Sequence, residues 1–468
     1  MNIHVLWWRD DFRLSDNATL HAAMANADHL LCVTVDDSAA RGPWPMPFAR
    51  QSAHRRVAWQ HATSDVHRSL TAFGHSLWVA SGPPAAALAR LVDTLRAAYP
   101  GSAVRVFTQA IPAPFECDDA QALAAHVPVE VIDASDLLRA QDVGFEQPRQ
   151  AAAHRTQAKT AHALSAVPSV FTAFRKHVEQ AGMPVRELLP VPHSLPSMPG
   201  AVVGESHTEA VNVAVGFEPL RTALAAQGFS DAHTAPPALD VPAQFDQALE
   251  VSERAGLQHM DRYFSSDLAH HYKATRNGLM GATYATKLSL WLARGCLSPV
   301  MVWHTLKAFE TRRGASDSSY WIGFELLWRE HFRWLHKRDG VALYRRGSAF
   351  EAAQPRQFER WCTGQTGSDF VNAGMHELRL TGCLSNRMRQ VVASYWLHEC
   401  AGDWRWGAAW FEHALLDFDV MSNTGNWLYI AGLGSDPQGG RRFDVHWQAK
   451  THDPQGRYTR YWLELATA

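Results

Sequence analysis

Five short apolar runs lie in the first third of the chain: Ile3–Trp8, Leu30–Val35, Leu77–Ala80, Val104–Thr108 and Val129–Ile132. Helix-like stretches separate them: Asn17–Ala27, Gln51–Phe73, Pro84–Ala98 and Asp118–His126. A short apolar run with little alternation reads as a strand buried on both faces, and strands that alternate with helices pair in parallel. The pattern predicts an α/β N-terminal domain over residues 1–135, a doubly wound parallel five-stranded sheet. The loop after the first run, Arg9-Asp10-Asp11-Phe12-Arg13-Leu14-Ser15-Asp16-Asn17, lacks GxGxxG, which argues against an ordinary dinucleotide loop. Its Arg and Asp side chains are expected to pair locally.

Regularity falls over residues 136–245, where Pro184, Pro190, Pro192, Pro196, Pro199, Pro236, Pro237 and Pro242 are spaced by small residues. This reads as a connector crossing the surface. Within it Phe171, Phe174 and Val178 share one helical face, the pattern of a helix docked on a domain. Residues 246–468 carry periodic apolar stretches broken by Gly and Pro, which predicts an all-α C-terminal domain.

Charge sets few limits, because 44 basic residues nearly balance 46 acidic ones. A nucleic-acid surface must then come from local clusters, such as Arg345, Arg346, Arg387, Arg441 and Arg442. None of the six cysteines stands at CxxC spacing, so neither a zinc site nor a disulfide framework is indicated. Arg9, Asp10 and Asp11 interrupt any signal-peptide core, and no apolar run approaches a membrane span. These features place the chain in a reduced compartment, the cytoplasm. Trp outnumbers Tyr, 18 to 10. Most such residues fill cores; stacking or electron transfer is the sharper alternative.

The chemistry concentrates between Tyr320 and Trp427. Trp321, Phe324, Trp328, Phe332 and Leu335 form one helical face, with Glu325 at its edge. Spacing alone favours a Glu325–Arg329 surface pair over a carboxylate held in an apolar wall. Asn386, Arg389, Gln390 and Ala393 share a face of a helix that Ser385 can cap, with Arg387 to one side. That face suits phosphate or an amide-rich ring, or simply a solvated helix start. Asp417-Phe418-Asp419 is expected to close a helix and lead into Met421-Ser422-Asn423-Thr424-Gly425-Asn426-Trp427. Trp404 and Trp427 are read as lying in polar loops. These acids and amides can cap or read the edge of a heterocycle; their spacing is not that of a calcium loop, and no metal is expected. Tyr272, Arg276 and the Tyr284-Ala285-Thr286-Lys287-Leu288-Ser289 stretch can face a diphosphate or serve capping alone.

In this order, the motifs resemble the photolyase/cryptochrome family. Leu6-Trp7-Trp8-Arg9-Asp10-Asp11-Phe12-Arg13-Leu14 is similar to the family's opening. Phe171-Thr172-Ala173-Phe174-Arg175-Lys176, Thr275-Arg276-Asn277-Gly278-Leu279, Ser385-Asn386-Arg387-Met388-Arg389-Gln390, Asp453-Pro454-Gln455-Gly456-Arg457-Tyr458 and Tyr429 resemble its DASH cryptochrome branch. The resemblance implies FAD, bound non-covalently in the helical domain, and a light-driven electron transfer to a cyclobutane pyrimidine dimer, preferentially in single-stranded DNA. It implies Tyr272, Arg276, Thr286, Lys287, Leu288 and Ser289 along the FAD phosphates and ribose, and an Arg389–Asp417 pair beside the isoalloxazine. Asp419 would meet the ring edge and Asn423 its N5. Glu325 would hydrogen-bond the dimer, with Trp328 and Tyr429 stacked on its bases and Asn386, Arg387 and Gln390 around it. Trp427 and Trp404 would be inner members of an electron-transfer chain. The protein is expected to act as a monomer.

The sequence departs from the family at several points. The outermost chain Trp would fall at position 351, here Glu351. The family's aromatic-Pro-apolar-Val-Asp-Ala-Asn-Met-Arg is here Ser368-Asp369-Phe370-Val371-Asn372-Ala373-Gly374-Met375-His376, and Cys383 replaces an aromatic. Ala285 and Leu290 replace Ser and Pro. The DASH antenna, 5,10-methenyltetrahydrofolate, uses a Glu after the fourth strand; Thr108-Gln109-Ala110-Ile111-Pro112 has none, and Glu116 lies further on. These departures motivate an alternative, a blue-light photoreceptor that signals through a partner protein. With no long extension after Leu465, the plant or animal style of signalling is not expected.

Overall fold

The computed structural model describes residues 1–37, 46–145, 164, 166–200, 218–232, 236–239, 241, 248–347, 355–434 and 439–467. Strands β1 (Asn2–Trp7), β2 (His29–Asp36), β3 (Leu77–Ser81), β4 (Ala103–Gln109) and β5 (Val129–Ile132) occupy the expected runs and pair in parallel. The expected count of five is corrected to six. β6 (Ser230–Asp231), from the connector, adds antiparallel to β3, giving the order β5-β4-β1-β2-β3-β6. A polar two-residue strand carries no apolar run; it forms because the β3 edge offers unpaired backbone groups.

The central strand β1 is buried from Ile3 to Trp7, consistent with a sheet covered on both faces. The helix Pro114–Ala124 starts before the expected Asp118, because Pro114 fits the first helical turn, where no N–H donor is needed. The helix Phe171–Gln180 docks through buried Phe171, Phe174 and Val178, as its spacing predicts.

The C-terminal part is helical, and its longest helix is Asp317–Asp339. Ser316 and Ser319 form a reciprocal capping box at its start, which satisfies backbone donors that the first turn leaves free. Trp361, Trp396, Trp427 and Trp462 are fully buried in this core. The loop reading of Trp404 and Trp427 is corrected: Trp404 opens the helix Trp404–Ala414, and Trp427 lies inside the helix Val420–Ile430. Likewise Asp417 and Asp419 do not end a helix. The preceding one stops at Ala414, and Asp419 caps the next by accepting from Ser422 N at 2.7 Å. Polar residues that face an internal cavity invert the usual inside-out pattern, so this helix reads as a loop.

The ion pairs of Asp10 and Asp16 reach outside loop 9–17 rather than closing within it. Arg9 donates to Thr108 Oγ1 and to the Gln109 and Glu116 carbonyls, Asp10 pairs with Arg294, and Asp16 pairs with Arg186. Arg13 donates to the carbonyls of Gly295, Asp16 and Ala134. The loop is therefore a seam between the sheet and the helices. Among the described residues no helix is long and apolar enough to cross a membrane, and all six cysteines are free.

Candidate active site

The helices enclose a cavity of about 330 Å³. Its wall includes Tyr272, Arg276, Thr286, Lys287, Leu288, Ser289, Glu325, Asn386, Arg389, Gln390, Asp417, Asp419, Asn423 and Trp427, residues spread over some 155 positions of sequence (427 minus 272).

Asn386, Arg389 and Gln390 come from the helix Asn386–Ser394, which Ser385 caps by accepting from Met388 N at 3.2 Å. Arg389 Nη2 meets both oxygens of Asp417 at 2.9 Å, and its Nε donates to the Leu384 carbonyl at 2.9 Å. Burial works against the charge of Asp419, but Arg329 and Arg333 outweigh it and hold its pKa below the usual range. Asn423 Nδ2 donates to the Ala408 carbonyl at 3.0 Å, which orients the amide and leaves its oxygen free of that bond.

Glu325 does not pair with Arg329. Its carboxylate meets Arg276, whose guanidinium also lies 4.5 Å from the Trp321 ring centre. Arg329 instead donates to the Ser135 carbonyl at 3.0 Å. An i, i+4 pair is weak, and a partner reached through the fold displaces it. Burial raises the Glu325 pKa and Arg276 pulls it back. The Glu325 side chain keeps 36% of its surface, in the cavity wall.

Trp328, Arg387, Tyr429 and Trp404 are not among the residues of this wall. Trp328 stacks on Phe171 with centroids 3.7 Å apart and planes within 10°, and meets Tyr429 edge-on at 5.5 Å. Arg387 donates to Asn277 Oδ1 at 2.9 Å and lies over Phe443. Trp404 donates to the Arg346 carbonyl at 3.2 Å. Glu351 lies outside the described residues.

The departures at 368–376 are mostly packing changes. Asn372 closes a turn, accepting from Thr366 N and Oγ1 at 2.7 Å. At Gly374 an added Cβ would stand 2.7 Å from the Met388 methyl, so Met388 fills that space. Of the other departures, Ala285, Leu290 and Cys383 reach the cavity, and burial pushes the Cys383 thiol up to about 12. Arg329 and Phe411 also stand in the wall, with no signal from local spacing. Ser422 and Asn426 are one turn apart and on the face of Asn423.

The wall fits a flavin nucleotide. The indole N–H of Trp427 and Gln390 Oε1 are buried without a partner among the described residues, and both stand at the cavity. A buried unpaired polar atom is unfavourable unless a ligand satisfies it. Lys287 and Arg276 offer charge for phosphate, while Arg389–Asp417, Asp419 and Asn423 offer a polar edge for a heterocycle.

Residues 4–196 match the DNA photolyase family, and residues 321–467 match the FAD binding domain of DNA photolyase. Cryptochrome DASH of Gloeobacter violaceus is 34% identical over 99% of this chain and 86% of its own length. The chain belongs to the photolyase/cryptochrome family. Its DASH branch is also represented by cryptochrome DASH of Synechocystis sp., 33% identical over 98% of this chain and 87% of that protein. The crystal structure of Synechocystis sp. PCC6803 cryptochrome superposes with a TM-score of 0.81 at 31% identity, covering 99% of this chain and 89% of that one. A bacterial class III photolyase from Agrobacterium tumefaciens shares the fold, with a TM-score of 0.70 at 24% identity over 99% and 87%. The cofactor of this DASH-branch chain is FAD.

A second, smaller cavity of about 100 Å³ lies between the sheet and the helices, with Glu116, Arg55 and Arg294 in its wall. Arg329, Leu292, Ala293, Phe418 and Asp419 stand in both cavity walls.

Proposed function

We propose that this chain is a blue-light-driven lyase that repairs cyclobutane pyrimidine dimers, preferentially in single-stranded DNA. FAD bound in the cavity in its reduced form supplies, on excitation, the electron that splits the dimer. The observation that carries the reading is the position of Glu325, Asn386 and Gln390 in the same wall as Arg389, Asp417, Asp419 and Asn423. A flavin and a flipped pyrimidine dimer would then share one enclosure, with water excluded between them. Glu325 holds or donates a hydrogen bond at the dimer carbonyl, where negative charge develops, and Arg276 sets how much proton it retains. Asn386, exposed at the mouth, and Arg387 meet the strand. Trp328 and Tyr429 form an aromatic flank for the bases. Tyr272, Arg276, Thr286, Lys287, Leu288 and Ser289 hold the phosphates and ribose, and Trp427, in the cavity wall, passes electrons to the flavin. Flipping is least costly where no partner strand holds the base, which favours single strands. The reading includes a monomer in the cytoplasm and a division at 1–135, 136–245 and 246–468.

The test is photoreduced protein, dimer-bearing oligo-dT and blue light. Dimers should disappear, and Glu325→Gln should lower the yield about tenfold or more with FAD content unchanged. Dimers left untouched by the wild-type protein would end the reading.

One observation favours a second reading, a blue-light photoreceptor. Phe171 covers one face of Trp328, a face otherwise offered to a base. A partner that binds from cell extract only under illumination, with no repair, would select it.

A further inference from the structure

The helical core contains a run of rings that starts at the flavin cavity and does not pass through Trp404. Trp427, in the cavity wall, meets Trp361 edge-on at 6.4 Å between centroids. Trp361 lies 5.4 Å from Trp396 with planes 34° apart. Trp396 meets Phe358 at 5.2 Å, and Phe358 meets Trp406 at 5.0 Å, both edge-on. Trp361 and Trp396 are fully buried, whereas Trp406 is partly exposed.

The local backbone is shaped around Trp396. The chain makes a π turn over Tyr395–Glu399, closed by Cys400 N donating to the Tyr395 carbonyl at 3.1 Å. Such a turn shifts the helical phase by one residue and occurs often at functional sites. Gly402 packs on the Trp396 ring, where any Cβ would collide with it. Trp361 Nε1 donates to the Val392 carbonyl at 3.0 Å, and Trp396 Nε1 to the Asp403 carbonyl at 2.8 Å. A carbonyl oxygen on the indole N–H stabilises positive charge on the ring. Trp404 likewise donates its indole N–H to a carbonyl, that of Arg346, but its ring is placed differently. Among the described residues no ring stacks on it or meets it edge-on, and the Arg405 guanidinium stands 5.3 Å over its face, with Asp403 balancing part of that charge. A cation over an indole makes removal of an electron from it harder.

We propose that electrons for photoreduction of the bound flavin travel chiefly along Trp406, Trp396, Trp361 and Trp427, with Phe358 as the medium between the first two. For each photon, Trp427 gives one electron to the excited flavin, oxidised in the first event and one-electron-reduced in the second, and Trp361, Trp396 and Trp406 refill one another in turn. The deficit ends as an oxidised indole at Trp406, and a solution thiol returns one electron to it. Two events turn two thiols into one disulfide, and supply two electrons to the flavin and two protons to flavin and solvent. Phe358 is not itself oxidised. The inference needs FAD in the cavity but not dimer repair, because its readout is the flavin's own light absorption.

The experiment illuminates the FAD-loaded protein with a thiol present and follows loss of the visible flavin absorption. Trp396→Phe and Trp361→Phe should each slow it about tenfold or more, at unchanged FAD content. Trp396→Tyr should restore part of the rate, since tyrosine can be oxidised and phenylalanine cannot; a purely packing role would not separate the two. Trp406→Phe, at the partly exposed end, should leave the early oxidised-indole signal in time-resolved absorption but remove its slow, thiol-sensitive phase. Should Trp396→Phe fail to fold, Trp361→Phe and Trp406→Phe carry the test. Photoreduction within about twofold of wild type in the Trp361 and Trp396 variants, with collapse in Trp404→Phe, would overturn the proposal.

Discussion

At the scale of single residues, the site shows partners chosen by the fold over partners offered by sequence spacing. Glu325 takes Arg276 in place of Arg329, and Arg389 takes Asp417. Asp417 keeps only 5% of its side-chain surface and Arg389 keeps 28%. Removing one charge leaves the other partly buried and unpaired. After allowance for the exposure of Arg389, Asp417→Asn should destabilise by about 1–2 kcal/mol. It should also release FAD, because the guanidinium loses the group that aims it. Thermal unfolding and the flavin-to-protein absorbance ratio check both outcomes; an unchanged ratio would separate the pair from cofactor binding.

At the scale of elements, the helix Asp317–Asp339 carries both cavity-wall residues and buried structural groups. Its buried histidines, His331 and His336, are both held down to about 4 by burial. His331 Nε2 donates to the Pro168 carbonyl and His336 Nδ1 to the Phe332 carbonyl; each second nitrogen has no partner among the described residues. Protonation would therefore place an N–H in the core with no acceptor. Both folded-state values lie below the ordinary 6.5. The unfolded chain thus binds protons first as pH falls, and stability present above 6.5 is lost progressively toward pH 4. Each histidine contributes a slope of up to about 1.4 kcal/mol per pH unit in that window. Thermal midpoints measured from pH 7 to 4.5 should fall more steeply for wild type than for His331→Gln; parallel curves would contradict the assignment.

At the scale of the molecule, the sheet and the helices are joined by buried polar contacts. Glu330 accepts from Leu137 N and Leu138 N at 3.0 Å and from Trp334 Nε1 at 2.9 Å. Asp136 is clasped by Arg333 and Lys337, and although burial opposes its charge, these two hold its pKa below the usual range. Glu253 accepts from Leu14 N and Ser15 N across the same seam. The closest approach is at Gly295, whose φ is 64° and where a Cβ would collide with the Asp10 carbonyl. Backbone on both sides leaves no flexible group to move. Gly295→Ala should destabilise by about 3 kcal/mol or more and lower the thermal midpoint by several degrees, which calorimetry measures. A variant melting like wild type would show that the seam can shift.

By itself the sequence determined the layering of the N-terminal part, since buried strands and helix periods differ in apolar spacing, and it determined the helical character of the rest. It also carried most of the cavity wall, through ordered motifs around Glu325, Ser385 and Asp419. Tertiary structure alone decided the sixth strand, which exists only because the β3 edge needs a partner. It decided that loop 9–17 binds across the seam and that Glu325 pairs with Arg276. It also decided that Trp361 and Trp396 continue the ring path from Trp427. These contacts join residues tens to hundreds of positions apart. Local spacing measures only what a single helix or strand brings together, so it is silent about them.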